Sequence, residues 1–301
     1  MRKKIAVATA WLQSCSGCHV ALFDLHQNFI DLAGQVDIKY SPIMDVKEVT
    51  EVDLAVVEGS VANEDNVEML KALREKSKML VALGTCACFG GIPGLRNLFG
   101  TKDVLERGYV KTESTTGGKI PDAPEIPVLL PQVKALDQVV KVDAYIPGCP
   151  PLTSVIQEDL MELVKGKVPR MKTRNLCEEC NRRKEKLLIQ SRDFLTDTVL
   201  SPHELDRIDP DLCFLEQGVL CMGPATREGC DTRCIKGNMP CRGCMGPTPD
   251  ALEQGSKIIN ALSSVLPAAG LMFQEDIVGV GYRYSLPKSI LPHAIKKERT
   301  E

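Results

Sequence analysis

Eight of the thirteen cysteines crowd into residues 177–244, and the other five stand in the first half, at 15, 18, 86, 88 and 149. Twelve of the thirteen sort into three groups of four, each with the ligand count of one metal centre. The cysteine-dense stretch has weak helical or strand periodicity, so it needs metal rather than a large apolar core to hold its shape. Nothing else in the sequence is equipped for bond-making chemistry. The pattern points to a chain that carries electrons rather than one that transforms a substrate by itself.

Composition narrows the class further. A length of 301 residues suits one large domain or two ordinary ones. Hydrophobic residues make up 44% of the chain, enough to build a core without disulfide staples. A net charge of −3 with pI near 5.9 argues against nucleic acid as a partner. The 4% aromatic content argues against a base-stacking platform. Residues 4–10 read as a first strand rather than an export signal, and no apolar run has the length of a membrane span. The expectation is a cytoplasmic chain with no membrane partner. In a reducing compartment a cysteine pattern means metal or catalysis more often than disulfides.

The first half alternates strands and helices. Apolar runs at 4–10, 36–40, 53–58, 79–84 and 142–147 read as buried strands. Between them, 19–32 places Val20, Phe23, Phe29 and Ile30 at helical spacing. Asn63 can cap a helix that buries Val67, Leu70 and Leu73. Ser154 with Gln157 forms a capping box for a helix burying Val155, Ile156, Leu160 and Leu163. Strands separated by helices imply a parallel sheet covered on both faces. The expected class is α/β: a flavodoxin-like N-terminal domain over 1–168, and an irregular C-terminal domain with few helices over 169–301. In the latter, a helix after Thr248 and Pro249 should bury Leu252, Ile258, Ile259, Leu262 and Val265, and the last twenty residues read as an extended tail.

In such sheets, functional loops follow the carboxyl ends of the strands. Cys15 and Cys18 follow the first strand, Cys86 the fourth and Cys149 the fifth, so three separate positions should converge on one edge. Small residues around them, in SCSGC, GTCACFGG and IPGCPP, let backbone N–H groups approach sulfur. The other eight divide as Cys177, Cys180, Cys213 and Cys221, and as Cys230, Cys234, Cys241 and Cys244. Spacing alone leaves the pairings among these eight open. Structural zinc competes for them, since two CxxC pairs in a small domain are a common zinc signature. Three four-cysteine centres in one chain read best as iron–sulfur clusters forming a relay. Cys88 is left over and reads as a small buried hydrophobe. His19 reads as a hydrogen-bonded residue at a helix start, and Glu58-Gly59-Ser60 as a supporting loop. His26, His203 and His293 have no partner pattern.

The segments WLQSCSGC, VEGSV, GTCACFGGI, PGCPP, CMGPATREGC and CIKGNMPCRGCMGP occur in that order over nearly the whole chain. Together they resemble the small subunit of nickel–iron hydrogenases. The resemblance implies a proximal 4Fe–4S cluster on Cys15, Cys18, Cys86 and Cys149. It implies a distal cluster on Cys177, Cys180, Cys213 and Cys221, and a medial one on Cys230, Cys234, Cys241 and Cys244. It places the nickel–iron centre on a separate large subunit, so no catalytic residue is expected here.

Two departures bear on the clusters. Cys177 stands where many family members have a histidine, and Cys234 stands where many have a proline and a three-iron centre. Three four-iron clusters are therefore expected, and all-thiolate ligation should favour low potentials. Within the family the chain looks most like the gamma subunit of the methyl-viologen-reducing hydrogenases of methanogens, which do not reduce deazaflavin. That likeness implies a 2Fe–2S subunit and heterodisulfide reductase as partners. Other readings are a deazaflavin-reducing or sulfhydrogenase-type subunit, a cluster subunit like that of respiratory complex I, and a zinc-stabilised interaction protein.

Overall fold

In the computed structural model, residues 4–185, 208–265 and 276–290 are described. Five strands form a parallel sheet: β1 (Ile5–Trp11), β2 (Val36–Tyr40), β3 (Val52–Glu58), β5 (Ser77–Leu83) and β7 (Ala144–Ile146). Their spatial order is β2-β1-β3-β5-β7, the flavodoxin-like doubly wound order. Consecutive residues of β1, β3 and β5 enter opposite cores. Ala8, Ala10, Ala55, Val57, Leu80 and Ala82 share one, while Val7, Leu54, Val56, Val81 and Leu83 share the other. Where both faces are covered, as along 54–57 and 79–83, every position wants an apolar residue and the strand is an apolar run, whereas edge strand β2 (VDIKY) is largely exposed.

The covering helices are α1 (Gly17–Phe23), α2 (Gln27–Gln35) and α6 (Thr153–Val164) on one face, and α3 (Glu64–Lys76) and α4 (Gly84–Phe89) on the other. Asn63 caps α3 as expected, its Oδ1 accepting from Asn66 N at 2.8 Å. Acidic Glu64 and Asp65 open that helix, and Arg74 and Lys76 close it, in the sense the helix dipole favours. A short antiparallel pair joins β4 (Val61–Asn63) to β6 (Leu129–Lys134), with α5 (Thr101–Tyr109) between them in sequence.

Three expectations for the first-half helices are corrected. The single helix over 19–32 is two, because His26 takes a left-handed φ of 51° and resets the helical phase. The face that is buried carries Ala21, Leu22, Leu25 and Leu32, while Val20, Phe23 and Ile30 are exposed. Helix α6 starts one residue before Ser154, so Leu152 occupies the cap position and no side chain caps it. Gln157 instead accepts from Asn28 Nδ2 at 2.9 Å.

The chain divides into two compact units at Met171/Lys172, and the described tail 284–290 groups with the first unit. In that unit Gln138 Nε2 donates to Pro287 O at 2.7 Å, and Lys288 Nζ pairs with Asp137 at 2.5 Å. A tail expected in the C-terminal domain is thus claimed by polar partners on the first. It is not wholly extended, since Leu286–Lys288 form a 3-10 turn. Pro292 and His293, like His203, lie outside the described residues.

Among its described residues the second unit, Lys172–Arg283, has few helices: α7 (Leu176–Glu179), α8 (Arg233–Lys236), α9 (Gln254–Val265) and α10 (Ile277–Gly281). Its core joins Leu176, Phe214, Met222, Ile235, Ile258 and Leu262 with the cysteines Cys221 and Cys241. Leu252 precedes α9 and is 83% exposed, and Ile259 lies on its outer side, so neither is the core residue expected. Val265 is partly buried.

Candidate functional site

Strand register brings the first four cysteines to one edge. Trp11 pairs with Glu58, Glu58 with Leu83, and Leu83 with Ile146, so four strands end level with one another. The loops that follow are stitched together. Gln13 and Ser60 exchange backbone hydrogen bonds at 3.0 Å, Leu12 N donates to Glu58 O at 2.8 Å, and Thr85 N donates to Gly148 O at 2.9 Å. Cys15 and Cys149 stand in these loops, Cys18 opens α1, and Cys86 lies in α4. Cys15 and Cys149 are exposed, and Cys18 and Cys86 half-buried.

Two glycines make room for the sulfurs. Gly84 has φ +83°, and a Cβ there would stand 2.2 Å from Cys18 Sγ. Gly91 has φ +56°, and its Cβ would stand 2.5 Å from Cys86 Sγ. No side chain fits either position.

Burial and the charge of neighbouring groups disfavour ionisation of Cys18, Cys86 and Cys149. Burial pushes the Cys18 thiol far above its usual value, and charge on Glu58, Cys86, Cys149 and Cys15 pushes the same way. Burial raises Cys86 to about 12, with Cys149 and Cys15 adding to it. Four thiolates here require a concentrated positive charge among them, which iron in a cluster supplies. The donor set and the glycine cradles therefore fit an iron–sulfur cluster.

Behind Cys18 lies a buried polar pair. The Glu58 carboxylate accepts from His19 N at 2.7 Å and faces His19 Nδ1 at 2.5 Å. Trp11 meets the His19 ring edge-on at 5.3 Å. Burial works to raise the Glu58 pKa, but the hydrogen bonds and charge of His19 outweigh it and hold the carboxyl below its usual range. Glu58 thus ties the start of α1 to the end of β3. The sequence marked this loop only as a support, and the level strand ends give the reason. Cys88 is fully buried and donates to Ala82 O at 3.5 Å, away from this chemistry.

In the second unit, Cys177, Cys180, Cys213 and Cys221 line a single cavity with Arg182, Lys184, Phe214 and Gly223. Asn175 caps α7 by accepting from Cys177 N at 3.0 Å. A Cβ on Gly223 would come 3.0 Å from Cys177 Sγ, so this position too is kept small. Burial raises Cys177 to about 12, with Cys221 and Cys213 adding and Lys184 opposing.

The remaining four come as two pairs. Cys230 feels the charge of Cys234, which is exposed on α8. Cys241 feels Cys221 and Cys244. The Cys230 loop is held by Glu179, whose two oxygens accept from Gly229 N and Asp231 N at 2.8 Å each. Among the described residues no three His, Cys, Asp or Glu side chains are placed to hold a single metal ion. A four-iron cluster spreads its thiolates around a wider body than one ion does.

A component of the F420-non-reducing hydrogenase of Methanothermobacter marburgensis is 39% identical over 312 residues, covering 99% of both chains. The chain belongs to the nickel–iron hydrogenase small subunits, in the F420-non-reducing group. The corresponding component of the vhu F420-non-reducing hydrogenase of Methanocaldococcus jannaschii agrees. It is 38% identical over 97% of this hydrogenase subunit and 98% of its own length. The crystal structure of an NAD+-reducing nickel–iron hydrogenase in the hydrogen-reduced state contains a chain 40% identical, at a TM-score of 0.54. That match covers 56% of this subunit and 95% of that chain. The family model described as NADH ubiquinone oxidoreductase, 20 Kd subunit, matches residues 15–163. It spans the strand-end cysteines and stops before the second unit, whereas the methanogen relatives run the full length. Membership of this family implies iron–sulfur clusters, with the hydrogen-activating site on another chain. No helix among the described residues is long and apolar enough to cross a membrane.

Proposed function

We propose that this chain is the electron-transfer subunit of a cytoplasmic nickel–iron hydrogenase, joining a large subunit that oxidises hydrogen to a 2Fe–2S subunit and heterodisulfide reductase. The observation that carries the proposal is the pair of separate cysteine quartets, one on the level strand ends and one around the cavity beside Phe214. When bound, a 4Fe–4S cluster at each of the three cysteine groups takes up and releases single electrons. The protein's part is to ligate, orient and tune. Cys15, Cys18, Cys86 and Cys149 bind the proximal centre, and Gly84 and Gly91 let the backbone close over it. Cys177, Cys180, Cys213 and Cys221 bind the distal one, and Cys230, Cys234, Cys241 and Cys244 the medial one. Glu58 fixes the first loop and Glu179 the Cys230 loop.

The test is anaerobic isolation of the tagged chain from its own cells. The reading expects a brown complex that contains a nickel–iron large subunit and reduces viologen dye with hydrogen. A colourless protein carrying zinc and no acid-labile sulfide would sink it.

A further inference from the structure

The cavity that gathers Cys177, Cys180, Cys213 and Cys221 has two cations in its wall, Arg182 and Lys184. Lys184 is engaged elsewhere, donating to Cys177 O at 2.5 Å. Arg182 is held rigidly and is only 7% exposed. Its guanidinium lies 3.7 Å over the Phe214 ring centroid. Nη1 donates to Asp209 O at 2.9 Å and Leu212 O at 2.7 Å, and Nη2 donates to Asn238 Oδ1 at 2.5 Å. None of these bonds uses Nε, which is shut away from solvent with no acceptor. A charged donor buried without a partner is costly and rare, and its presence marks an acceptor the side chain was placed to meet. The chemistry gathered at this cavity is sulfur.

We propose that Arg182 Nε–H donates to sulfur of the distal centre, and that its fixed positive charge raises that centre's reduction potential. The inference rests on the reading that these four cysteines hold a 4Fe–4S cluster. A cation held beside a cluster stabilises the more negative, reduced form, so it counteracts the lowering effect of all-thiolate ligation. The consequence is a distal centre that draws electrons outward along the chain.

Redox titration of the purified complex, following the distal paramagnetic signal, tests this. At the poise where half of the native distal centre is reduced, Arg182→Gln should show a reduced-to-oxidised ratio about tenfold smaller. Arg182→Lys keeps the charge but loses the planar donor, and should show a smaller fall. Arg182 also secures the 209–212 loop, so either variant could lose the cluster. A measurement on the native sequence covers that case. Complex grown with arginine labelled by nitrogen-15 in the guanidino group should show nitrogen hyperfine coupling on the reduced distal signal. Unchanged potentials in cluster-bearing variants, or no coupling in the native complex, would overturn the proposal. A native complex with no iron at this quartet would overturn the cluster reading beneath it instead.

Discussion

At Gly84 a single methyl group would occupy the space of Cys18 Sγ, in a backbone conformation that L side chains avoid. Gly84→Ala should therefore leave a folded chain that has lost the proximal centre. Iron per chain would fall by about four with the circular dichroism unchanged. Cys234→Pro should convert the medial centre to a three-iron cluster, seen as a new paramagnetic signal in the oxidised state. An unchanged spectrum would show that Cys234 is not a ligand. At this scale the sequence is most legible where chemistry and spacing coincide, as in Cys15, Cys18, Cys86 and Cys149. It is least legible at Arg182, which sits in the run Asn181-Arg182-Arg183-Lys184 beside a half-exposed arginine of the same kind. Packing on Phe214 and hydrogen bonds to Asp209, Leu212 and Asn238 separate the two, and these depend on residues distant in sequence.

Elements show a different balance. The inner strands are readable because both faces of the sheet are buried there, which leaves an apolar run that turns and helices interrupt. The break in the helix over 19–32 is not, because it rests on one backbone angle at His26, and periodicity does not register a left-handed residue. The Asn63 cap is readable from residue type, and Asn63→Ala should cost about 1 kcal/mol of stability in chemical denaturation. Asp143 joins neighbouring elements: it accepts from Leu80 N at 2.9 Å on β5 and pairs with Arg74 on α3. Burial works to raise its pKa, but the Arg74 and Leu80 hydrogen bonds and the nearby charges win, so the folded value lies below the ordinary one. The stabilisation is therefore full above the unfolded pKa of about 3.9, and is lost as pH falls through the lower folded value. Asp143→Asn should lower the melting temperature near neutral pH, and the gap from the native protein should close below about pH 4. A gap that stays constant with pH would contradict this linkage.

For the molecule as a whole, the flavodoxin-like first unit is legible, since alternating strands and helices permit few topologies and the strand-end rule then locates the proximal cysteines. The grouping of the tail is not, because 284–290 are claimed by Gln138 and Asp137, which carry no signal of it in sequence. The central claim is that one chain carries three four-iron clusters, and its most direct test is the mass of the chain itself. The subunit should be released intact from the anaerobic complex by native mass spectrometry. It should exceed its 33.0 kDa polypeptide mass by three increments of ~350 Da, one for each four-iron, four-sulfide cluster. Cys149→Ser should remove one increment and leave two. An excess matching one or two zinc ions, or one unaffected by Cys149→Ser, would contradict the account.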